Sequence, residues 1–123
     1  MVIISCGKND ANRNLPDITQ ANNVKLSYKS DFDSTGKMKL ISKEISDLKT
    51  VNEIKKMIDF DPYSIVYCTY TGSMSFYKDS SLIVTMVFNT TPGQKHIAFT
   101  YNGKLTALKL SDVDAEFVNN LKN

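Results

Sequence analysis

The sequence predicts an α+β fold, a mainly antiparallel β-sheet carrying two short helices in the order ββαβββββα. Three observations predict it. Runs with period-two alternation are joined by short turn signals, which makes neighbouring strands antiparallel. Two segments, one mid-chain and one at the C-terminal end, switch to helical spacing. The chain has 123 residues, 41% hydrophobic and 23% charged, the size and balance of one domain with one core.

Val24, Leu26 and Tyr28 alternate with Lys25, Ser27 and Lys29, defining a half-buried first strand. The segment Asp31-Phe32-Asp33-Ser34-Thr35-Gly36 is rich in turn formers. Met38 and Leu40 then alternate with Lys37 and Lys39 in a second strand that runs on to Ile45, so the pair reads as a hairpin. Thr50-Val51-Asn52-Glu53 has the spacing of a capping box, in which each end residue satisfies the other's backbone N–H. Val51, Ile54, Met57 and Ile58 share one face of the helix that follows, and Asp61-Pro62 is expected to stop it.

From Ser64 the pattern turns β. Residues 64 to 110 read as an antiparallel meander closed by a C-terminal helix. Ile65 to Thr71 is almost entirely β-branched or aromatic. Gly72 is expected to interrupt it as a bulge or a turn, which leaves the strand count there open. Met74–Lys78, Leu82–Phe88, His96–Tyr101 and Leu105–Leu110 follow as strands, with turns at Asp79-Ser80-Ser81, Thr91–Gln94 and Asn102-Gly103. Leu82–Phe88 is apolar on both faces apart from Thr85, the mark of a central strand covered on both sides. Asn102-Gly103 suits a type I′ hairpin turn, which needs positive φ at both positions. Ser111 is placed to cap the last helix, with Asp112 and Asp114 in its first turn and Val113, Phe117, Val118 and Leu121 as its apolar stripe.

Charge excludes one class of partner. The net charge is +2, and ten of the 15 basic residues lie in residues 1–64 beside nine acids. A nucleic-acid-binding face needs a cluster of basic side chains to meet many phosphates, and the lysines here are interleaved with acids and apolar residues. No nucleic-acid partner is expected. No apolar run is long enough for a membrane-spanning helix. Cys6 and Cys68 do not have metal or redox spacing.

The chain opens with a short apolar run, Val2-Ile3-Ile4, then Ser5 and Cys6, and turns abruptly polar over residues 7–23, with Asn9, Asn12, Asn14, Asn22 and Asn23. Ile3-Ile4-Ser5-Cys6 resembles the end of a bacterial lipoprotein signal: an apolar residue, a variable one, a small one, then the lipidated cysteine. That resemblance implies a lipid anchor on Cys6, a polar tether over 7–23 and a cell-envelope location. It lacks the charged start and longer apolar stretch of a full signal. Residues 1–6 are therefore either a remnant of such a signal or a first short strand, with a cytoplasmic location in the second case. On either reading, residues 24–123 form the domain.

Candidate chemistry is sparse. Asp31-x-Asp33-x-Thr35-Gly36 resembles the start of an EF-hand calcium loop, with Asp31, Asp33 and Thr35 as oxygen ligands, but Ser42 stands where the bidentate Glu belongs. The same residues resemble the first motif of haloacid-dehalogenase-type phosphatases, whose parallel α/β rhythm is missing downstream. The plain alternative is a hairpin loop. No metal or other cofactor is expected. His96 is the only histidine, so imidazole catalysis would fall to it with Thr100 or Tyr101, in a small hydrolase or nuclease. Phosphate chemistry of that kind also wants a second histidine or an arginine, which is not nearby in sequence.

The tyrosines offer a different surface. Tyr67, Tyr70, Tyr77 and Tyr101 lie in or beside the meander, and alternation sends Tyr67 and Tyr70 to opposite faces. Solvent-facing tyrosines make good protein or sugar contacts; the alternative is packing under helices or across strands. The expected function is therefore a non-enzymatic interaction domain with a protein partner. In size and plainness it resembles lipidated inhibitors and immunity-type proteins of the cell envelope.

Overall fold

The computed structural model describes residues 16–32, 35–58 and 69–122. Within them the elements run β1 (Asn23–Phe32), β2 (Met38–Ile45), α1 (Leu48–Met57), β3 (Gly72–Lys78), β4 (Ser81–Asn89), β5 (His96–Tyr101), β6 (Lys104–Lys109) and α2 (Asp112–Asn120). The strands form one six-stranded sheet in the order β2-β1-β3-β4-β5-β6, with every neighbouring pair antiparallel. The α+β arrangement and the meander from β3 to β6, closed by α2, follow the sequence expectation.

Alternation builds the core. Val24, Leu26 and Tyr28 of β1 pair across the sheet with Phe76, Met74 and Gly72 of β3, and these in turn with Val84, Met86 and Phe88 of β4. Ile97, Phe99 and Leu108 extend the same face. Val51, Ile54, Met57 and Ile58 at α1, with Ala115 and Val118 of α2, complete the cluster. Both helices therefore contribute to one core, on one side of the sheet. Tyr28 ties the layers together: its hydroxyl donates to Val118 O at 2.6 Å, 90 residues away, and burial pushes its pKa from 10.0 to about 12.

Several boundaries differ from expectation for identifiable reasons. The N-cap of α1 is Asp47, not Thr50. Asp47 Oδ2 accepts from both Thr50 N (2.9 Å) and Thr50 Oγ1 (2.7 Å), and this double acceptor starts the helix earlier. The helix ends at Met57 with Ile58 as C-cap; Asp61-Pro62 lies outside the described residues. Of the strand expected over Ile65–Thr71, residues 65–68 also lie outside them, and Thr69–Thr71 precede β3 rather than belonging to it. Four strands follow α1 among the described residues.

Gly72 does not break the sheet. It opens β3 between Tyr28 and Phe88, where a Cβ would stand 2.4 Å from Phe88 Cζ and 2.4 Å from Ser27 O. The residue is small because a ring occupies the space its side chain would need. Ser111 caps α2 as expected, accepting from Asp114 N at 3.1 Å. Val113 leaves the expected stripe at 76% exposure, and Ala115 takes its place. At 100° per residue, Val113 lies about 140° around the helix from the fully buried Val118. Asn102 and Gly103 both have positive φ, as a type I′ turn requires.

Of the segment read as a polar tether, residues 7–15 lie outside the described residues, and 16–22 pack on the domain. Ile18 and Ala21 join the core cluster, and Lys55 Nζ donates to Thr19 O (3.0 Å) and Ala21 O (3.1 Å). Asn22 Nδ2 donates to Asp79 Oδ1, and Asn22 Oδ1 accepts from Asp79 N.

Candidate functional site

The same alternation that buries Val24, Leu26 and Tyr28 turns Lys25, Ser27 and Lys29 to the opposite face of the sheet. Register then assembles their neighbours. Lys25 lies between Glu44 on β2 and Ser75 on β3, Ser27 between Ser42 and Ser73, and Lys29 beside Leu40. Lys25, Ser27, Ser42, Glu44, Ser73, Ser75 and Tyr77 line an open groove of about 460 Å³ on this face.

Two lysine–tyrosine stacks lie on this face, the first of them in the groove wall. Lys25 Nζ lies 4.9 Å from the Tyr77 ring centroid, and Lys29 Nζ lies 3.8 Å from that of Tyr70. The ring quadrupole attracts the ammonium and narrows the range of positions that a long side chain samples. Glu44 is held differently, accepting from Asn23 Nδ2 at 2.7 Å. The salt bridge Lys95–Asp112, at 2.7 Å, lies elsewhere and pulls the Asp112 carboxyl below its usual range, first through the hydrogen bond and then through the lysine's charge. Leu40 and Tyr70, at 65% and 41% exposure, add apolar and aromatic area beside Lys29.

The character of this face changes across β4. Val87, Asn89, His96, Ala98 and Ala107 also point away from the helices, yet all are buried. Asn89 organises the loop between β4 and β5. Its Nδ2 donates to Thr69 O (3.0 Å) and Gln94 Oε1 (3.2 Å), and its Oδ1 accepts from Thr91 N (2.8 Å). Thr71 and Thr90 share a hydroxyl–hydroxyl bond of 3.2 Å, and Thr90 Oγ1 donates to Asn119 Oδ1 at 3.1 Å.

His96 sits inside this region with 1% exposure and Nδ1 at 2.7 Å from Gln94 O. Thr100 is on the same face but four residues along the strand, about 13 Å away. Tyr101 is on the helix-facing side, packed against the core. The structure therefore does not bring these three candidates together. Among the tyrosines, Tyr70 and Tyr77 share the open face with β1's lysines, Tyr101 does not, and Tyr67 lies outside the described residues.

Asp33 and Cys6 also lie outside the described residues, as does Cys68. Asp31 is the penultimate residue of β1, and Thr35 lies in the turn before β2. No group of three or more metal-ligating side chains occurs among the described residues. A second groove, about 450 Å³, runs between Ile18–Thr19 and the Asn52, Lys55, Lys56 and Ile58 side of α1. Its Lys55 ammonium is committed to two backbone carbonyls.

The fold and face together define a small α+β domain with helices on one side of its sheet and a polar, tyrosine-flanked groove on the other. No protein family, curated protein sequence or solved structure matches the chain.

Proposed function

We propose that this chain is a binding domain that presents the open face of β2, β1 and β3 to a protein partner. The observation that carries the proposal is the pairing of Lys25 with Tyr77 in the groove wall and of Lys29 with Tyr70 farther along the same face of β1. An exposed tyrosine, Tyr70, and a half-buried one, Tyr77, each stiffened by a lysine, bring contact area at low entropic cost, as interaction surfaces require. Leu40 supplies an apolar contact at the rim.

The same proposal includes tethering to the cell envelope through a lipid on Cys6, on the strength of the Ile3-Ile4-Ser5-Cys6 resemblance, and a role of the inhibitor or immunity type. Labelling cells with a fatty-acid analogue tests the tether: label should enter the parent chain and be lost in Cys6→Ser. Equal labelling of both, or of neither, refutes it.

Photocrosslinking in the producing cell tests the face. A photoreactive phenylalanine at Ser42 or Ser73 should yield a discrete protein adduct, whereas one at Val113, exposed on α2, should not. Adducts of equal yield from Val113, or none from the open face, remove the assignment.

A further inference from the structure

The open face carries a second kind of information, which bears on the chemistry of its partner. Lys25 and Lys29 are both exposed, and among the described residues neither forms an ion pair. Each ammonium instead lies over a tyrosine ring. A ring attracts a cation without neutralising it, so the positive charge remains available to an outside anion. The carboxylate opposite Lys25 in the register, Glu44, is engaged by Asn23.

The two lysines have a defined spacing along β1. Four residues along an extended strand set the Cα atoms of Lys25 and Lys29 about 13 Å apart, on one face. Between them Ser27, flanked by Ser42 and Ser73, offers hydroxyls that can donate or accept.

We propose that this face recognises an acidic protein segment, in extended conformation, whose two carboxylates meet Lys25 and Lys29. This rests on the proposed binding face and assigns its partner's chemistry. Two carboxylates at i and i+4 of an extended segment have the same spacing as the lysines, and the serine row fits the backbone polar groups between them. A nucleic acid is disfavoured because two lysines beside a carboxylate make too few phosphate contacts.

The test uses the full chain, isotope-labelled for amide NMR, and a short peptide alternating Thr and Val apart from Glu at i and i+4. Amide shifts should concentrate at Lys25–Lys29, Ser42, Ser73 and Tyr77. The double variant Lys25→Gln/Lys29→Gln should bind about tenfold more weakly, the loss of two exposed ion pairs. A peptide with Gln in both places should be weakened equally. Added salt should erase most of the difference.

The assignment is overturned if the shifts fall elsewhere, if the double variant binds like the parent, or if a single-stranded oligonucleotide binds more tightly than the glutamate peptide. Crosslinking from Ser42 and Ser73 that persists alongside any of these results leaves the binding face standing and removes only the acidic partner. Loss of both removes the face as well. Amide spectra of the free double variant matching the parent outside β1 and its neighbours establish that it folds.

Discussion

Gly72→Ala is the sharpest single probe of the sheet. The new methyl would stand 2.4 Å from Phe88 Cζ, 2.7 Å from Phe88 Cε1 and 2.4 Å from Ser27 O. Carbon atoms in contact need about 3.5–4.0 Å, so the ring would have to retreat by about 1 Å, and the Ser27 carbonyl would have to move as well. The ring is constrained from behind: Phe88 is fully buried and packs edge-on against Tyr28, with centroids 5.6 Å apart. Over-packing a tight core typically costs 1–3 kcal/mol, and involvement of backbone puts this case near about 3 kcal/mol. At roughly 4 °C per kcal/mol, Tm should fall by about 12 °C, with a matching fall in the urea midpoint. Phe88→Leu is the control. It frees the ring side of the clash but not the Ser27 side, so Gly72→Ala should cost about 1 kcal/mol less in that background. A Gly72→Ala variant within about 0.5 kcal/mol of the parent, or a cycle with no coupling to Phe88, would refute the packing argument.

Three further outcomes follow from the core and its caps. Thr106 is fully buried and its Oγ1 has no partner among the described residues, so Thr106→Val should raise stability by about 1 kcal/mol in urea denaturation; a fall would show that the hydroxyl is satisfied. Asp47→Ala removes the acceptor for Thr50 N and Oγ1 and should lower Tm by about 3 °C. Those two bonds, side chain first, hold the Asp47 carboxyl below its usual range, so its contribution should persist above that range and disappear as pH falls through the lowered value; an Asp47→Ala profile parallel to the parent's in acid would contradict this. Tyr28 should ionise late in an ultraviolet titration: its folded pKa of about 12 exceeds the ordinary 10.0, so its contribution is intact below pH 10 and lost as pH rises toward 12, and Tyr28→Phe should flatten that alkaline limb.

Where local pattern decides structure, the sequence was readable. The strands β1 and β4–β6, the buried stripe Val51-Ile54-Met57-Ile58, the Asn102-Gly103 turn and the Ser111 cap follow from periodicity and turn chemistry within a few residues. The misplacements had tertiary or competing local causes. Thr50 has the capping-box spacing, but Asp47 can bind both its N–H and its hydroxyl. Gly72 resembles a breaker because its real reason, the Phe88 ring, is 16 residues away in sequence and adjacent only in register. Val113 fits an apolar stripe on paper but falls outside the arc that meets the sheet. The candidate site was legible only in halves. Tyr70 and Tyr77 stood out as aromatic, whereas Lys25, Ser27 and Lys29 read as no more than the wet side of a strand. What joined them was the pairing of β1 with β3, two elements separated by β2 and α1, and no local signal specifies that pairing.

That pairing also links the two faces of β1 mechanically. A strand that slips by one residue exchanges its inward and outward sets, so the position of Lys29 over Tyr70 depends on Tyr28 staying in the core. Tyr28 is held there by its bond to Val118 O and by the Phe88 ring, which in turn fits only because residue 72 has no side chain. The lysine–tyrosine stack on the open face and the tyrosine–helix bond on the covered face are therefore neighbours along one stretch of backbone. Substitutions at Tyr28 or Gly72 that leave the chain folded should still broaden or shift the Lys29 and Tyr70 resonances. Substitutions at Lys29, which lies outside the core, should leave Tyr28's late ionisation unchanged.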